Sequence, residues 1–213
     1  IQRWFVDTLG SSAERTHSHH GYECPRMFRN RARDIWELFL DIYVSDFELR
    51  GRQIFKLAIL TISDTGSKGE REDTSGDAIS KIMADAGGFE EVAREIVADE
   101  TGLIAGRLTE WCDAGDIDLV VTTGGTGLGP RDVTPEATRQ VIDLEVPGIA
   151  EAMRMETLKI TPFAMLSRSV VGVRNGCLIV NLPGSPKGVT ETLEVALRGI
   201  SHALEMVKGW RTH

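Results

Sequence analysis

From Lys56 onward, apolar residues alternate between strand-like runs and helix-like stripes. Lys56–Ile62 and Leu119–Thr123 are apolar and rich in β-branched residues, as expected for buried parallel strands. A shorter run, Glu95–Ala98, predicts another strand. Between these runs, apolar residues recur at the spacing of amphipathic helices. The two stripes consist of Ile79, Ile82, Met83 and Ala86, and of Ile104, Leu108 and Trp111.

Capping residues predict where several of the helices begin and end. Thr74 and Asp77 form a Thr-x-x-Asp signal for a helix start, and the glycines at 87–88 predict its end. Thr134 is expected to cap a third helix that has Pro135 in its first turn. Trp111 lies on the apolar stripe of the second helix, so we expect it in the core.

The C-terminal part of the sequence predicts a hairpin followed by a long helix. Arg168–Val173 and Cys177–Asn181 flank Arg174-Asn175-Gly176, a signal for a short turn. An apolar stripe then predicts a helix from about Pro186 to Lys208. Strands separated by helices of these lengths predict an α/β fold with three αβα layers, in which a mostly parallel sheet carries one antiparallel piece.

Four loops that follow predicted strands carry the residues most able to perform chemistry. In sheets of this kind, ligands bind beyond the carboxyl ends of the strands, so we expect the four loops to converge on that edge. They contain Ser63, Asp99, Gly124–Asp132 and Leu182–Lys187.

The loop after the third predicted strand has four glycines among the six residues from Gly124 to Gly129. Glycine leaves backbone N–H groups unshielded and allows φ > 0, and a helix start follows, so this segment suits an anion. Arg131 adds a positive charge and Asp132 a potential metal ligand, which favours a phosphate-bearing ligand. No Gly-Lys-Ser/Thr follows, so this is not a P-loop. On spacing alone, a simple tight turn is the alternative.

The whole segment Thr122–Glu136 resembles the signature of the molybdenum-cofactor nucleotidyltransferases, which include MogA-type and MoaB-type enzymes and the G domains of gephyrin and its plant counterparts. The resemblance continues along most of the chain in the family's order. It covers Leu57–Asp64, Ile96–Glu100, Leu158–Ser169 and Asn181–Lys187. It departs from the family pattern at Ala98, where a proline is usual.

The resemblance implies a function in molybdenum cofactor biosynthesis. A family member would transfer AMP from ATP to molybdopterin with Mg²⁺, giving adenylyl-molybdopterin and pyrophosphate, and would form a homotrimer that also meets other molybdenum-cofactor enzymes. One alternative is a non-catalytic molybdopterin-binding or scaffold module of the same fold, and another is a general nucleotide-binding regulator. The presence of Asp99, Asp132 and the Asn181–Lys187 loop favours the enzyme.

Asp99, Asp132 and Lys187 are the catalytic candidates, and the two aspartates are also the candidate metal ligands. Paired carboxylates beside a phosphate cradle suit Mg²⁺, and a lysine can neutralise phosphate charge. From spacing alone, Asp99 and Asp132 could instead cap the helices that follow them. Ser185 is a good N-cap for the last helix as well as a ligand candidate.

The remaining candidates are substrate-binding residues implied by the resemblance. Ser63 and Asp64 could instead form an ordinary turn, and Ser167 and Asn181 are equally plausible as turn-forming residues. A solvated loop arginine is the alternative for Arg131. The full set of candidates is Ser63, Asp64, Thr123, Gly124, Gly125, Thr126, Gly127, Arg131, Ser167, Asn181, Pro183, Gly184 and Ser185.

Composition narrows the possible partners and the compartment. The net charge of −8 argues against binding to nucleic acid or an anionic membrane. No apolar run reaches membrane-spanning length. Cys24, Cys112 and Cys177 are odd in number and widely spaced, so we expect reduced thiols in a cytoplasmic protein.

The chain is predicted to have two parts. Residues 1–53 lack a strong period and have no counterpart in the family, so we interpret them as an N-terminal extension of unknown role. Residues 54–213 form the predicted molybdopterin-binding domain. This domain has more apolar residues after Pro147 than one short helix needs, which favours either core or a trimer interface. They are Ile149, Met153, Met155, Leu158, Phe163, Met165 and Leu166.

Overall fold

The computed structural model describes residues 54–209, so the predicted extension, 1–53, lies outside the described residues. No helix in the described range is long and apolar enough to cross a membrane. In chain order the elements are β1 (Phe55–Ile62), α1 (Thr74–Ala86), β2 (Phe89–Val97), α2 (Thr101–Ala114), β3 (Leu119–Thr123), α3 (Thr134–Val141), β4 (Leu144–Glu145), α4 (Pro147–Leu158), a 3₁₀ helix (Pro162–Leu166), β5 (Val171–Arg174), β6 (Cys177–Leu182) and α5 (Pro186–Val207).

The six strands form one sheet in the order β2-β1-β3-β6-β5-β4. The four strands β2, β1, β3 and β6 are parallel to one another, and β5 and β4 add antiparallel pairs at one side. The predicted α/β fold with a mostly parallel sheet is therefore confirmed. The carboxyl ends of the parallel strands therefore all lie at one edge of the sheet.

Each face of the sheet packs against its own layer of helices. Along β1, Leu57 and Ile59 belong to a core shared with α1, α4 and α5. Ala58 and Leu60 point to the other face, where they join a core shared with α2 and α3. This alternation follows from the two-residue period of a strand, and burial on both faces explains the continuous apolar run in the sequence.

Strand β2 is longer than the predicted run Glu95–Ala98, because it begins at Phe89. It lies at the edge of the sheet, where Glu90, Glu91 and Val92 are exposed. An edge strand needs no apolar residue on its outer side, so its first half gives no hydrophobic signal.

Two predicted helix caps were wrong. Helix α1 is capped by Asp73, whose carboxylate accepts a hydrogen bond from the Gly76 N–H at 2.9 Å, and Thr74 is its first residue. Thr134 is likewise the first residue of α3, and its hydroxyl donates to the Gly124 carbonyl at 2.8 Å. The Thr134 side chain therefore fixes the glycine-rich loop instead of the helix start. Trp111 is half-buried against the core.

Predictions for the C-terminal part are confirmed, except that β5 runs from Val171 to Arg174 where Arg168–Val173 was predicted. Strands β5 and β6 form the expected antiparallel hairpin, and Asn175 and Gly176 at its turn have φ of 45° and 78°. Left-handed conformations at both central residues are the requirement of a type I′ turn. Ser185 caps α5, since its hydroxyl accepts from the Gly188 N–H at 3.1 Å. In the described range, the free cysteines are both buried, at Cys112 and Cys177.

Candidate functional site

Two cavities lie at the carboxyl edge of the parallel strands, on either side of the glycine-rich loop. The smaller has a volume of about 180 Å³ and is lined mainly by polar groups, including Ser63, Arg71 and Asp99. The larger, of about 590 Å³, has more apolar walls. Gly125 and Gly184 line both cavities, so the two spaces meet where the walls have no side chains.

Most of the predicted site residues line one of these cavities, which agrees with the expected convergence of the loops. In the smaller cavity they are Ser63, Asp99, Thr123 and Gly124, and in the larger cavity they are Thr126, Gly127, Asp132, Ser167, Pro183, Ser185 and Lys187. Three predicted residues, Asp64, Arg131 and Asn181, line neither cavity.

The backbone of the glycine-rich loop leaves no room for side chains at its start. Gly124 has φ of 103°, and a Cβ there would lie 2.3 Å from the Ile62 carbonyl oxygen. Gly125 has φ of 61°, and its Cβ would lie 2.4 Å from the Thr134 hydroxyl. Since both the conformation and the space exclude a side chain, the glycines are required for this close approach of backbone to β1 and α3.

Asp132 folds back onto the same loop. Its Oδ2 accepts from the Gly129 N–H at 2.6 Å, and Cβ atoms on Gly127 or Gly129 would come within 3.0 Å of that oxygen. The Asp132 carboxylate therefore does not cap α3, whose cap position is Val133. It is held at the wall of the larger cavity by the loop that it closes.

Asp99 is fixed by a reciprocal pair of bonds with the loop after β1. Its Oδ2 accepts from the Asp64 N–H at 2.7 Å, and the Asp64 Oδ1 accepts from the Asp99 N–H at 3.1 Å. The cap position of α2 is Glu100, so Asp99 is not a helix cap either. Burial raises the pKa of Asp99, and the negative charges of Asp64 and Asp132 raise it further.

The donor set fits a metal that takes only part of its coordination from protein. Within residues 54–209, no group of three or more His, Cys, Asp or Glu side chains is arranged to hold a metal alone. Mg²⁺ commonly takes one or two carboxylates and completes its shell with water and phosphate oxygens. Asp99 and Asp132 suit that role, because a cation between them would offset the repulsion that Asp99 experiences.

Arg131 is engaged by protein instead of facing a cavity. Its Nε and Nη2 donate to the two carboxylate oxygens of Asp64 at 3.0 and 2.7 Å. The Arg131 guanidinium holds the pKa of Asp64 below its usual range. In this arrangement the two residues tie the loop after β1 to the loop after β3.

Asn181 is also placed differently from the prediction. The residue is fully buried, and its Nδ2 donates to the hydroxyls of Thr122 and Thr138 at 2.9 and 3.0 Å. Its Oδ1 accepts from the Val170 N–H at 3.3 Å. With its amide bonded on both sides inside the fold, Asn181 holds β3, α3 and β6 together behind the site.

Two predicted residues of the larger cavity have polar groups that face its space. The side chain of Lys187 is 82% exposed, and its Nζ lies 3.7 Å from Glu191. The Ser167 hydroxyl donates to the Ser169 hydroxyl at 3.0 Å, and both serines line the cavity beside Phe163.

Sequence reasoning missed several polar residues at the smaller cavity, including Arg71, Asp73 and Ser75. The Asp73 carboxylate accepts from the Thr61 hydroxyl at 2.9 Å, and the Ser75 hydroxyl donates to the Gly184 carbonyl at 2.9 Å. They lie in or next to a polar stretch of sequence without periodicity. Such a stretch does not indicate which distant residues its side chains will bond to.

A mostly parallel α/β sheet with a glycine-rich loop and two carboxylates at its carboxyl edge places the chain among α/β proteins whose candidate ligand sites lie between strand ends and helix starts. The chain belongs to the family described as the probable molybdopterin binding domain, which it matches over residues 58–202. The resemblance stated from the sequence motifs is therefore confirmed.

Individual relatives agree with this assignment. The chain is 46% identical over 158 residues to a molybdopterin adenylyltransferase from Helicobacter pylori, covering 74% of this chain and 90% of the relative. It is 41% identical over 140 residues to the molybdopterin adenylyltransferase of Escherichia coli K12, covering 65% and 72%. Among solved structures, the molybdopterin biosynthesis enzyme MoaB from Thermus thermophilus has a TM-score of 0.70 and 52% identity, covering 74% of this chain and all of that one.

Proposed function

We propose that the protein is a Mg²⁺-dependent molybdopterin adenylyltransferase of molybdenum cofactor biosynthesis. It transfers AMP from ATP to molybdopterin and releases pyrophosphate. The observation that carries this proposal is the pair of cavities that meet at Gly125 and Gly184, with Asp99 on one side and Asp132 on the other. A transfer between two anionic substrates needs two adjoining binding spaces and a shared means of neutralising charge.

The cavities differ in the chemistry that they can receive. Phe163 and Met153 give the larger cavity apolar surface beside the Ser167 and Ser169 hydroxyls, which suits the flat, polar-edged ring of a pterin. The smaller cavity offers Arg71 and the Gly125 backbone, which suits the phosphates of ATP. The terminal phosphate of molybdopterin would then meet the α-phosphate of ATP at the glycine-rich loop.

The reaction that follows is an in-line substitution at phosphorus. A terminal phosphate oxygen of molybdopterin forms a bond to the α-phosphorus of ATP, and the bond from that phosphorus to the bridging oxygen breaks. Pyrophosphate leaves with the electron pair. The attacking phosphate is already ionised at neutral pH, so no protein base is needed.

Each part of the loop edge has a defined task in this scheme. The backbone amides of the glycine-rich loop bind phosphate oxygens, and Asp99 and Asp132 would hold the metal. Mg²⁺ supplies charge neutralisation at the transferring phosphoryl group. Lys187 is exposed at the mouth of the larger cavity, so its ammonium is free to move from Glu191 to a bound phosphate.

We also propose that the enzyme acts as a homotrimer. Met155, Phe163 and Met165 are 66%, 74% and 64% exposed, which is unusual for apolar side chains this close together in sequence. Met153, by contrast, is buried core. Phe163 also lines the larger cavity, so an interface here would complete one of its walls. Light scattering coupled to size exclusion should show three chains per particle, and a monodisperse monomer at micromolar concentration would refute the trimer.

The cellular setting is part of the same proposal. Two buried, free cysteines are compatible with the reducing cytoplasm, where the product would pass to another enzyme of molybdenum cofactor biosynthesis.

A direct assay tests the proposal. Protein is incubated with ATP labelled at the α-phosphate, with and without molybdopterin, and with Mg²⁺ or a chelator. We expect label in adenylyl-molybdopterin only when both molybdopterin and Mg²⁺ are present. Tight molybdopterin binding without transfer would favour a non-catalytic scaffold module. ATP binding that is indifferent to molybdopterin would favour a nucleotide-binding regulator.

A further inference from the structure

Arg168 lies just before β5 and contacts the glycine-rich loop at three places and the helix that follows the loop at a fourth. Its backbone N–H donates to the Thr126 carbonyl at 3.0 Å. Its Nε donates to the Gly127 carbonyl at 2.7 Å, and its Nη2 donates to the Asp132 carbonyl at 2.5 Å. Its Nη1 forms an ion pair with Glu136 on α3. One side chain thus joins both ends of the loop to the helix that follows.

The shape of the guanidinium group makes this arrangement specific. Its donors point in fixed directions within one plane, so three acceptors can be held at set positions at the same time. A lysine would keep the charge but could not reproduce that fork. Arg168 is 32% exposed, so water competes only partly for these bonds.

Asp132 is the residue most affected by these bonds. Arg168 fixes its carbonyl oxygen, and the Gly129 N–H fixes its carboxylate. The Gly127 carbonyl is fixed at the other side of the same turn. Without the fork, the Gly127 and Asp132 carbonyls would lose these partners, and the Asp132 carboxylate would lose its set position relative to Asp99.

We propose that Arg168 is a positioning residue for phosphoryl transfer, which fixes the Gly127–Asp132 loop so that its amides and the Asp132 carboxylate meet the substrates in one geometry. This inference rests on the proposed function. Arg168 acts through the loop, because its own donors are directed at protein carbonyls and at Glu136.

The chain contains a matched control at the opposite end of the sheet. Arg174 also binds a carboxylate and a backbone carbonyl, because its Nε and Nη2 donate to Asp113 and its Nη1 donates to the Val141 carbonyl at 2.7 Å. Its side chain is 23% exposed, close to the value for Arg168. Arg174→Lys should therefore lose similar bonds without disturbing the glycine-rich loop.

The first measurement needs no substrate. Amide hydrogen exchange is compared in the wild type, Arg168→Lys and Arg174→Lys, with thermal unfolding as a check that each is folded. We expect the Gly129 and Asp132 amides to exchange at least about tenfold faster in Arg168→Lys only. Glu136→Gln removes the ion pair but keeps the fork, so it should loosen the loop less. Unchanged exchange in Arg168→Lys would overturn the proposal.

The second measurement connects the loop to catalysis. In Arg168→Lys, kcat for AMP transfer should fall about 10²-fold, because misplacement of reacting groups acts mainly on the transition state. The KM for ATP should change little, the Mg²⁺ concentration for half-maximal rate should rise, and Arg174→Lys should match the wild type. A loosened loop with unchanged kcat would overturn the positioning role. An inactive wild type would instead overturn the proposed function, while the exchange data would still decide whether Arg168 holds the loop.

Discussion

Gly124 and Gly176 both adopt left-handed backbone conformations, at opposite ends of the parallel strands, but their surroundings differ. A Cβ on Gly124 would lie 2.3 Å from the Ile62 carbonyl oxygen, whereas a Cβ on Gly176 would meet nothing within 4 Å. Gly176 is required only by the angles of a hairpin turn. Glycine is required at position 124 both by the backbone φ angle and by the lack of room for a Cβ atom, because the loop lies directly against β1.

The charged groups at the two ends show the same contrast. At the hairpin end, Arg174 and Asp113 form a simple pair of opposite charges. At the carboxyl edge, Asp99 lies near two further carboxylates, Asp64 and Asp132, and its pKa is raised by burial and by their charges. At the hairpin end, the contacts of Arg174 with Asp113 join opposite charges and stabilise the fold. The carboxyl edge retains close packing of backbone and like charges, which is expected where a ligand completes the structure.

Replacement of Asp99 should have the largest effect. Asp99→Asn should lower AMP transfer by about 10²-fold or more, since a carboxamide is a poor Mg²⁺ ligand. It should not reduce the stability of the ligand-free protein. Because the folded pKa of Asp99 is raised, its stabilising contribution is complete at low pH and is lost as pH rises through that pKa, and asparagine avoids the loss.

Steady-state kinetics and thermal unfolding from pH 3 to 8 measure both parts of this prediction. The difference in melting temperature between Asp99→Asn and the wild type should grow in favour of the variant as the pH increases. It should reach up to a few degrees at neutral pH. A melting temperature below that of the wild type at neutral pH would mean that Asp99 is a stabilising residue, contrary to the contrast drawn between the two ends.

The paired glycine substitutions should have a smaller but clear effect on the free energy of unfolding. Gly124→Ala should cost about 3 kcal/mol, because it adds a steric overlap to an unfavourable φ. Gly176→Ala should cost about 1 kcal/mol, since only the backbone conformation is unfavourable. Urea unfolding of both variants measures the difference. Equal losses would show that space around Gly124 is not the limiting feature.

Removal of residues 1–53 should have the smallest effect. Within the described residues the first element is β1 at Phe55, and the family match begins at residue 58. We therefore expect a chain that starts at residue 54 to retain its thermal stability and its rate of AMP transfer. Insolubility or a changed oligomeric state in the shortened chain would show that these residues contribute to the fold.

The order of elements and the convergence of loops could be predicted because they depend on local pattern and on a general rule of parallel sheets. The buried runs Lys56–Ile62 and Leu119–Thr123 gave clear strand signals, and parallel strands deliver their loops to one edge. The start of β2 and the two-residue strand β4 gave none. An exposed edge strand and a very short strand do not need apolar residues in a regular pattern.

The contacts within the site could not be predicted, because they join residues far apart in sequence. Arg131 pairs with Asp64, and Arg168 binds the carbonyl of Asp132, through geometry that only the fold creates. Asn181 shows a related limit. Its motif pointed to a ligand contact, but it lies inside β6 and bonds to Thr122 and Thr138 behind the site. A sequence motif identifies the region of a site, but it does not distinguish residues that contact a ligand from residues that hold the site together.

The most direct test of the difference between the two ends is single-turnover AMP transfer by two aspartate-to-asparagine variants. Asp132 accepts from the Gly129 N–H and Asp113 accepts from Arg174, and asparagine keeps an accepting oxygen at each position. We predict that Asp132→Asn remains folded but transfers AMP at least about 10²-fold more slowly at saturating Mg²⁺, whereas Asp113→Asn matches the wild type. Unchanged transfer by a folded Asp132→Asn variant would contradict the account.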